Sequence, residues 1–337
     1  MPRIALFHTL RDFAEALADT IERIDPTYEV DVFSQSQTIR SRVMRGLSGD
    51  YDLIQADEMV RNGVLGAIEK RRHGTPLVVC IRGWDDYTNA HGQHGWLEHH
   101  SIKLRSKFVL QHADCTLFVS SVCREAMRRY YSFGSNRIVD RPFEISRFRN
   151  ADPVRATNDD SEICILTVTN FRYRQKARGV ITTLNGLKPI LDRNEHIRYA
   201  IAGDGREFDT VAQHVESYPH RDQVDLLGYR DDIPNLLADA DLFVYVSYLD
   251  ALPMAVLEAQ AAGLPIVGGA TSGVPEAVGT AGRLCPPTPE GIETAVDGLL
   301  SDSESLSALA DLSYQKMSGY NERAAQQYLD VWTDILC

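Results

Sequence analysis

SYLDALPMAVLEAQAAGLPIVGGATSGVPEAV, residues Ser247–Val278, is the stretch from which the rest of the chain is read. Leu242–Val246, just before it, is a short apolar run of the kind that forms a buried strand. A loop follows, Pro253 stands where a first helical residue is expected, and Met254–Ala262 has helical composition until Gly263 stops it. Leu264–Val267 then reads as the next strand. Strand, loop, helix and strand in so short a span form a βαβ unit of a parallel sheet, where ligands bind beyond the carboxyl ends of the strands. The helix N-terminus offers unpaired N–H groups and a dipole that favour phosphate or pyrophosphate. Asp250 stands in the loop before it. Glu258 lies eight residues later, about one and a half turns inside the helix, where a carboxylate can accept two hydrogen bonds from a vicinal diol such as a ribose. Taken singly, Asp250 reads as support for the helix dipole and Glu258 as a solvated helix residue. Their joint spacing with Pro253 and the following GATSGVPE loop favours a site.

The same alternation extends in both directions. Strand candidates in the front half are Arg3–Phe7, Glu29–Phe33, Leu53–Ala56, Leu77–Ile81, Cys115–Val119 and Ile138–Val139, separated by helical patterns such as Arg11–Arg23, Met59–Arg72 and Val122–Tyr131. Polar, Pro-containing text over Asp140–Ser161 reads as a linker. The rhythm resumes with Ile163–Thr169, Tyr199–Ala202, Gln223–Leu227, Leu242–Val246, Ile266–Gly268 and Gly282–Cys285. The expectation is an α/β chain of two doubly wound domains, residues 1–150 and 160–319, with a last helix, about 320–337, crossing back onto the first.

Composition agrees with that size. The 337 residues are 44% hydrophobic, 24% charged and 8% aromatic, enough apolar mass for two cores, which excludes a disordered, collagen-like or coiled-coil chain. No run of 18 or more apolar residues exists, and MPRIALFHTL turns polar too soon for a signal peptide, so the expectation is a soluble, cytoplasmic protein. The formal net charge is −12, but residues 1–150 hold 21 basic and 19 acidic residues while the remainder holds 14 and 28. That distribution lacks the footprint of a nucleic-acid binder. Cys80, Cys115, Cys123, Cys164, Cys285 and Cys337 contain no CxxC pair and read as reduced, buried small residues.

The DALPMAVLEAQAAGLP segment resembles the E-x7-E signature of the retaining glycosyltransferases of family 4, written E-G-x-P-x4-E-A-x-A-x-G-x-P. Asp250 replaces the first Glu and Ala251 the usual Gly, so a shorter acid has to reach further toward the donor sugar. ILTVTNFRYRQKARGV (Ile165–Val180) is similar to the family's strand, basic loop and helix, where an Arg and a Lys hold the donor diphosphate. Lys176 falls at the Lys. Phe171 occupies the usual Arg position, which makes Arg172 the shifted candidate, with Asn170, Arg174 and Arg178 beside it. IAGDGREFD resembles the family's strand and G-D-G loop, implicating Gly203, Asp204 and Gly205 in donor binding. LLGYRDDIPNLLADADLFVYVS resembles a segment that lines the base pocket, implicating Tyr229 and Arg230. VLQHADCTLFVSSVCREAMRR, IVDRPFEISRF and the closing YNERAAQQYLDVWTDIL carry the likeness into the N-terminal half and the end of the chain.

The resemblance implies a GT-B fold, two Rossmann-like domains facing across a cleft. It implies transfer of a sugar from a nucleotide-diphosphate sugar to an unidentified glycan, lipid-linked or small-molecule acceptor, with retention of anomeric configuration. Lys176, Arg172 and Asp250 are the catalytic candidates; Ala251, Leu252, Pro253 and Glu258 complete the donor set. The front half departs from the family. Glycines are missing after the first strand, and Arg82 stands where a His contacts the donor sugar. His8, Arg82, Trp84 and Asp85 are therefore the acceptor-side candidates. Asp50-Tyr51-Asp52 and Asp239-Ala240-Asp241 spell D-x-D but run straight into apolar strands. They read as strand-entry residues, and no metal or other cofactor is expected. His91, His94, His99 and His100 form an incomplete zinc set and read as a polar acceptor-side loop. Lys103, Arg105, Lys107, Arg124, Arg128 and Arg129 read as solvated faces or a contact with the inner membrane surface. Two other outcomes stay open: an epimerase or phosphorylase of the same fold, and a non-catalytic glycosyltransferase-like subunit, suggested by Asp250, Ala251 and the missing His. No G-x-G-x-x-G follows a strand, which disfavours a dehydrogenase.

Overall fold

A computed structural model describes residues 1–34, 51–83, 96–149 and 162–337, arranged as two compact units. One unit comprises Met1–Glu144 with Gly319–Cys337, the other Ile145–Ser318. Trp84, Asp85, Asp50, His91, His94 and most of the linker segment lie outside the described residues.

The first unit is built on a parallel sheet of β1 (Arg3–His8), β2 (Glu29–Ser34), β3 (Leu53–Asp57), β4 (Leu77–Ile81), β5 (Cys115–Phe118) and β6 (Asn136–Ile138). Its order is β2-β1-β3-β4-β5-β6. Strands such as Ile4-Ala5-Leu6 and Leu77-Val78-Val79 are fully buried, as parallel strands covered on both faces are. The helices are α1 (Arg11–Ile24), α2 (Asn62–His73), α3 (Trp96–His112) and α4 (Ser121–Arg128). The C-terminal helix Tyr320–Leu336 belongs to this unit. Its Tyr328, Leu329 and Trp332 join a core with Leu17, Ile21 and Tyr28, and the Trp332 indole donates to Gln55 Oε1 at 2.8 Å. That bond satisfies a glutamine buried in the sheet.

The second unit carries β7 (Ile163–Val168), β8 (Ile197–Ala202), β9 (Val224–Gly228), β10 (Leu242–Tyr245), β11 (Ile266–Gly269) and β12 (Arg283–Cys285). They form a parallel sheet in the order β12-β11-β10-β7-β8-β9. Its helices are α5 (Arg174–Leu191), α6 (Phe208–Glu216), α7 (Ile233–Asp239), α8 (Met254–Ala261), α9 (Val274–Val278), α10 (Pro289–Leu300) and α11 (Ser303–Met317). Each sheet is doubly wound, and its winding reverses at one place: between β1 and β3 in the first unit, between β7 and β10 in the second. Crevices open at such switch points, which makes them the first places to look for a site.

Four local expectations need correction. Helix α2 starts at Asn62 rather than Met59, because Glu58 adopts φ +73° and its carboxylate collects the N–H groups of Val60, Arg61 and Asn62 in a tight turn. Pro253 is the N-cap of α8 rather than its first helical residue: its φ of −69° suits a helix, but its ψ of 108° is extended. His99 and His100 lie within α3, not in a loop. Cys337 is exposed, whereas Cys80, Cys115, Cys123 and Cys285 are buried and Cys164 partly so; all six are free thiols. Asp52 and Asp241 do act at strand entries, accepting the backbone N–H groups of Arg3 and Cys164 at 2.8 Å each. Among the described residues no helix is long and apolar enough to cross a membrane, and no group of three or more His, Cys, Asp or Glu is arranged to hold a metal ion.

Candidate functional site

At the switch point of the second unit, sequence determines how closely α5 can approach β10. A Cβ on Gly179 would fall 1.9 Å from the Val246 carbonyl oxygen, so only glycine lets the first turns of the helix lie on the strand exit. Lys176, three residues earlier on the same face of α5, is thereby brought against the end of β10. Its ammonium donates to Asp250 Oδ1 at 3.1 Å and to the Tyr245 hydroxyl at 3.3 Å, and Tyr245 in turn donates to Asp250 Oδ2 at 2.8 Å. Thr169, just after β7, touches the same hydroxyl at 3.4 Å. The two charged side chains are only 7% and 9% exposed. Burial alone would lower the Lys176 pKa, but the Asp250 carboxylate and Tyr245 more than offset it and hold the ammonium above the ordinary lysine range. Burial, reinforced by Asp250, pushes the Tyr245 hydroxyl up to about 12, so it remains a neutral donor. The result is a permanent positive charge fixed in a poorly solvated place, with two of its three N–H groups used among the described residues.

Asp250 is also held through its main chain. Its N–H donates to Ser272 Oγ at 2.5 Å, the Ser272 hydroxyl donates back to its carbonyl at 2.7 Å, and Gly273 N–H donates to the same carbonyl at 2.8 Å. Ser272 adopts φ +59° to do so. A Cβ on Gly273 would lie 2.0 Å from the Ala251 carbonyl oxygen, so glycine is needed there for space. The GATSGVPE loop after β11 thus braces the loop that opens α8.

The other donor-side candidates make none of the hydrogen bonds of this cluster and have distinct environments. Asn170 and Arg172 are exposed in the loop after β7, the Arg172 guanidinium lying 5.6 Å from the centre of the Tyr173 ring. Gly203, Asp204 and Gly205 shape that loop from behind. A Cβ on Gly203 would be 1.7 Å from the Thr169 carbonyl oxygen, Phe171 N–H donates to Asp204 O at 2.9 Å, and the Asp204 carboxylate accepts Gly205 N–H at 2.7 Å. Arg178 is exposed on α5, stacked 4.3 Å over the Tyr248 ring. Ala251 and Pro253 are buried and Leu252 half-buried at the opening of α8, while Glu258, half-buried, stands in its second turn. Tyr229 and Arg230 follow the edge strand β9. The Tyr229 ring is 77% exposed, available for stacking, whereas the Arg230 guanidinium is committed to the Asp232 carboxylate, Nε donating at 2.7 Å. Tyr245, Thr169 and Ser272 escaped the sequence reading. Their signal was positional only, each lying at or just beyond the carboxyl end of β7, β10 or β11.

The switch point of the first unit holds a second cluster. His8 ends β1, Asp57 ends β3 and Arg82 follows β4. Together with Arg141, Phe13 and Tyr328 they line a small pocket. Asp57, 1% exposed, is ion-paired with Arg82, and Thr9 donates to the same Oδ2 at 3.3 Å. His8 Nδ1 accepts the Leu10 N–H at 2.9 Å, which leaves the proton on Nε2, 3.5 Å from Asp57. Burial, aided by Arg82 and Arg141, pushes the His8 pKa down to about 2, so the ring is neutral. The sequence reading had singled out His8 and Arg82; Asp57 and Arg141 it missed, since neither stands in a motif.

A family model described as "Glycosyl transferases group 1" matches residues 148–316, half of the chain, and one described as "Glycosyl transferase 4-like domain" matches residues 10–142. The chain is similar to N-acetyl-alpha-D-glucosaminyl L-malate synthase of Bacillus anthracis, 28% identical over 182 residues that cover 52% of this chain and 47% of the relative. It is also similar to UDP-Gal:alpha-D-GlcNAc-diphosphoundecaprenol alpha-1,3-galactosyltransferase of Escherichia coli, 24% identical over 230 residues, 64% of this chain and 57% of that one. The chain thus spans about half the length of these relatives. In fold it matches HepE of Anabaena, solved in complex with UDP, at a TM-score of 0.71 and 16% identity over 99% of this chain and 100% of that one. It also matches sucrose-phosphate synthase of Thermosynechococcus elongatus, at 0.75 and 16% over 99% of each.

Proposed function

The chain belongs to the group 1 glycosyl transferases, and from that membership we propose that it takes a nucleoside-diphosphate sugar and transfers the sugar, with retention of anomeric configuration and without a metal, to an acceptor hydroxyl. The observation that carries this reading is the Lys176–Tyr245–Asp250 cluster at the switch point of the second unit. Transfer breaks the bond from the anomeric carbon to the diphosphate oxygen and forms one to the acceptor oxygen on the same face. The departing diphosphate takes up the acceptor proton. Negative charge builds on the leaving oxygens, and stabilising it is the electrostatic task that usually dominates such catalysis.

Lys176 meets that task with a charge fixed in advance, assisted by Arg172 on the exposed loop and the amide end of α8. Asp250 positions Lys176 and offers its remaining lone pairs to donor-sugar hydroxyls. Glu258 holds the ribose, and Tyr229 stacks the base. The name of the Escherichia coli relative specifies UDP-Gal, and HepE was solved with UDP, so uridine nucleotides are the first probes.

The test combines a thermal-shift panel of nucleoside diphosphates with turnover of the sugar nucleotide that binds. Ligands that bind only the native state raise its apparent stability. Lys176→Ala is expected to fold, yet to lose on the order of 10²-fold in turnover, as loss of one charge-stabilising donor does. Near-normal turnover would remove Lys176 from the mechanism, and absence of any nucleotide shift would remove the function. NMR of the first-formed product, showing the donor's own anomeric configuration, checks retention.

A further inference from the structure

Gln260 lies near the far end of α8, completely buried, in a helix whose Val256, Leu257, Ala259 and Ala261 are buried with it. An amide in so apolar a setting is costly unless its hydrogen bonds are made. Its Nε2 donates to the carbonyls of Val278 at 2.9 Å and Ala281 at 3.2 Å, and its Oε1 accepts the Lys316 ammonium at 2.9 Å. Carbonyls on one side and an ammonium on the other allow only this amide orientation. Lys316, in the last turn of α11, also donates to the Ala277 carbonyl and, at 3.3 Å, to that of Val278. Ser313, three residues earlier on α11, donates to the Ala281 carbonyl at 3.3 Å. Side chains from two helices thus converge on the carbonyl end of α9 and the turn after it. The sequence motif leaves position 260 unspecified, so it does not explain a buried glutamine there.

α9 has only five residues, far fewer than a helix needs to persist alone. The last carbonyls of a helix have no partner inside it, and a cation beside them complements the dipole. At the other end α9 is preceded by Ser272 and Gly273, which hold the main chain of Asp250. Five helical residues span about 7 Å, so the two ends of α9 move together. α8, in turn, opens just after the Asp250 loop. The two helices are therefore joined twice, near the site through Asp250, Ser272 and Gly273, and at the far end through Gln260 and Lys316. The first joint includes a strained residue, Ser272 at φ +59°, a conformation that persists only where its surroundings over-determine it. The second joint is a buried polar network, which rigidifies and specifies one arrangement of the elements it connects.

We propose that Lys316 and Gln260 are positioning residues for sugar transfer. They fix the carbonyl end of α9 to α8 and so keep Ser272 and Gly273 in place against Asp250, whose carboxylate holds Lys176. Neither residue touches a reacting atom; both act through the main chain of Asp250. Loss of the far joint leaves α9 held by its apolar face alone, and Ser272 then relaxes out of its positive φ. The part played in transfer rests on the glycosyltransferase reading; the mechanical link from position 316 to the loop at position 273 does not.

The test uses Lys316→Met and Gln260→Met, which keep most of each side chain's volume, singly and together in the full chain. The double variant leaves neither side chain facing an unpaired partner in the other. Amide hydrogen exchange of residues 270–278 should quicken about tenfold or more in it, with β7 and β8 unchanged. Below the melting transition, kcat should fall about tenfold while the donor KM stays within about threefold, because the charge of Lys176 remains and only its placement is loosened. Adding Lys316→Met to Gly273→Ala tests the route. Two changes that act through one brace and each cost about tenfold should together cost about tenfold, whereas independent effects would multiply to about a hundredfold. Unchanged exchange at 270–278, exchange that rises evenly over the whole unit, a wild-type kcat, or a multiplied loss each overturns the proposal. Gln260→Met alone, which keeps the ammonium on α9, carries the same measurements should the double variant not fold. Faster exchange confined to 270–278 in a protein whose wild type neither binds UDP nor turns over a sugar nucleotide upholds the link and refutes the transferase alone.

Discussion

Replacing Asp250 by Asn removes one negative charge while keeping the side chain's shape. The partner left behind is an ammonium group on a side chain only 7% exposed, with Tyr245 its other hydrogen-bond partner among the described residues. Removing one member of a buried pair typically costs about 3–5 kcal/mol, because the surviving charge stays desolvated. In a unit of this size, each kcal/mol lowers the melting temperature by roughly 2–4 °C, so the variant should melt roughly 6–20 °C lower at neutral pH. The pH dependence gives a sharper signature. In the native protein the Lys176 pKa is raised, so the pair's stabilisation is complete below the ordinary lysine pKa of about 10.4 and is lost only as pH rises beyond it. In Asp250→Asn burial acts almost unopposed and the Lys176 pKa falls below that value. The folded state then binds fewer protons than the unfolded one, and stability rises with pH toward 10. Scanning calorimetry of both proteins at several pH values from 7 to 10 measures this. A deficit under about 1 kcal/mol, or one that stays constant across the range, would show that the pair is effectively solvated and refute the argument for a fixed charge.

Three further expectations follow from individual atoms. Gly273→Ala would place a Cβ 2.0 Å from the Ala251 carbonyl and break the brace on Asp250, so the helices should persist by circular dichroism while sugar transfer falls at least tenfold; activity within twofold of wild type would deny the brace a role. His8 is neutral down to about pH 2, so the native state loses stability as pH falls from 6.5 toward that value; His8→Gln should remove up to about 3 kcal/mol of this loss at pH 4, read by urea titration, with Asp57, raised to about 6, shifting stability in the opposite sense between pH 6 and 4 in both proteins. Exhaustive EDTA treatment should leave turnover unchanged, and activity lost to EDTA and restored by Mn²⁺ would contradict transfer without a metal.

How far the sequence could be read depended on the range of the forces involved. Parallel strands buried on both faces spell themselves as apolar runs, so every strand among the described residues was visible to within a residue or two, Leu77–Ile81 without error. Lys176 and Asp250, two members of the second unit's cluster, stood out as well, because each lies in a short stretch that follows a strand. What stayed hidden were relations between distant segments. Nothing local says that Ser272 will hold the main chain of Asp250, 22 residues away, or that Tyr245 will stand between Lys176 and Asp250. In the first unit Arg82 was visible only as a departure from a pattern. Asp57 looked like one more residue at a strand end, and Arg141 like part of a linker. Their meaning comes from the winding that brings β1, β3 and β4 to one crevice.

The departure at position 250 acquires a different sense from this geometry. A shorter acid in place of Glu, with Ala251 in place of Gly, left open a chain that keeps the fold but has lost the chemistry. Both carboxylate oxygens of Asp250 are engaged, however, one by Lys176 and the other by Tyr245. A Glu would carry its carboxylate one methylene further into the space that the donor sugar is proposed to fill. A buried ion pair is also a poor way to stabilise a domain, since apolar side chains of similar volume often serve as well or better. Kept for stability alone, Lys176, Tyr245 and Asp250 would be an expensive arrangement, and the strained Ser272 that fixes Asp250 would add to the cost. Kept for a diphosphate, the same charge is available from the outset, without reorganisation when the leaving group departs. The energetics of the cluster therefore argue for an active transferase over a non-catalytic subunit.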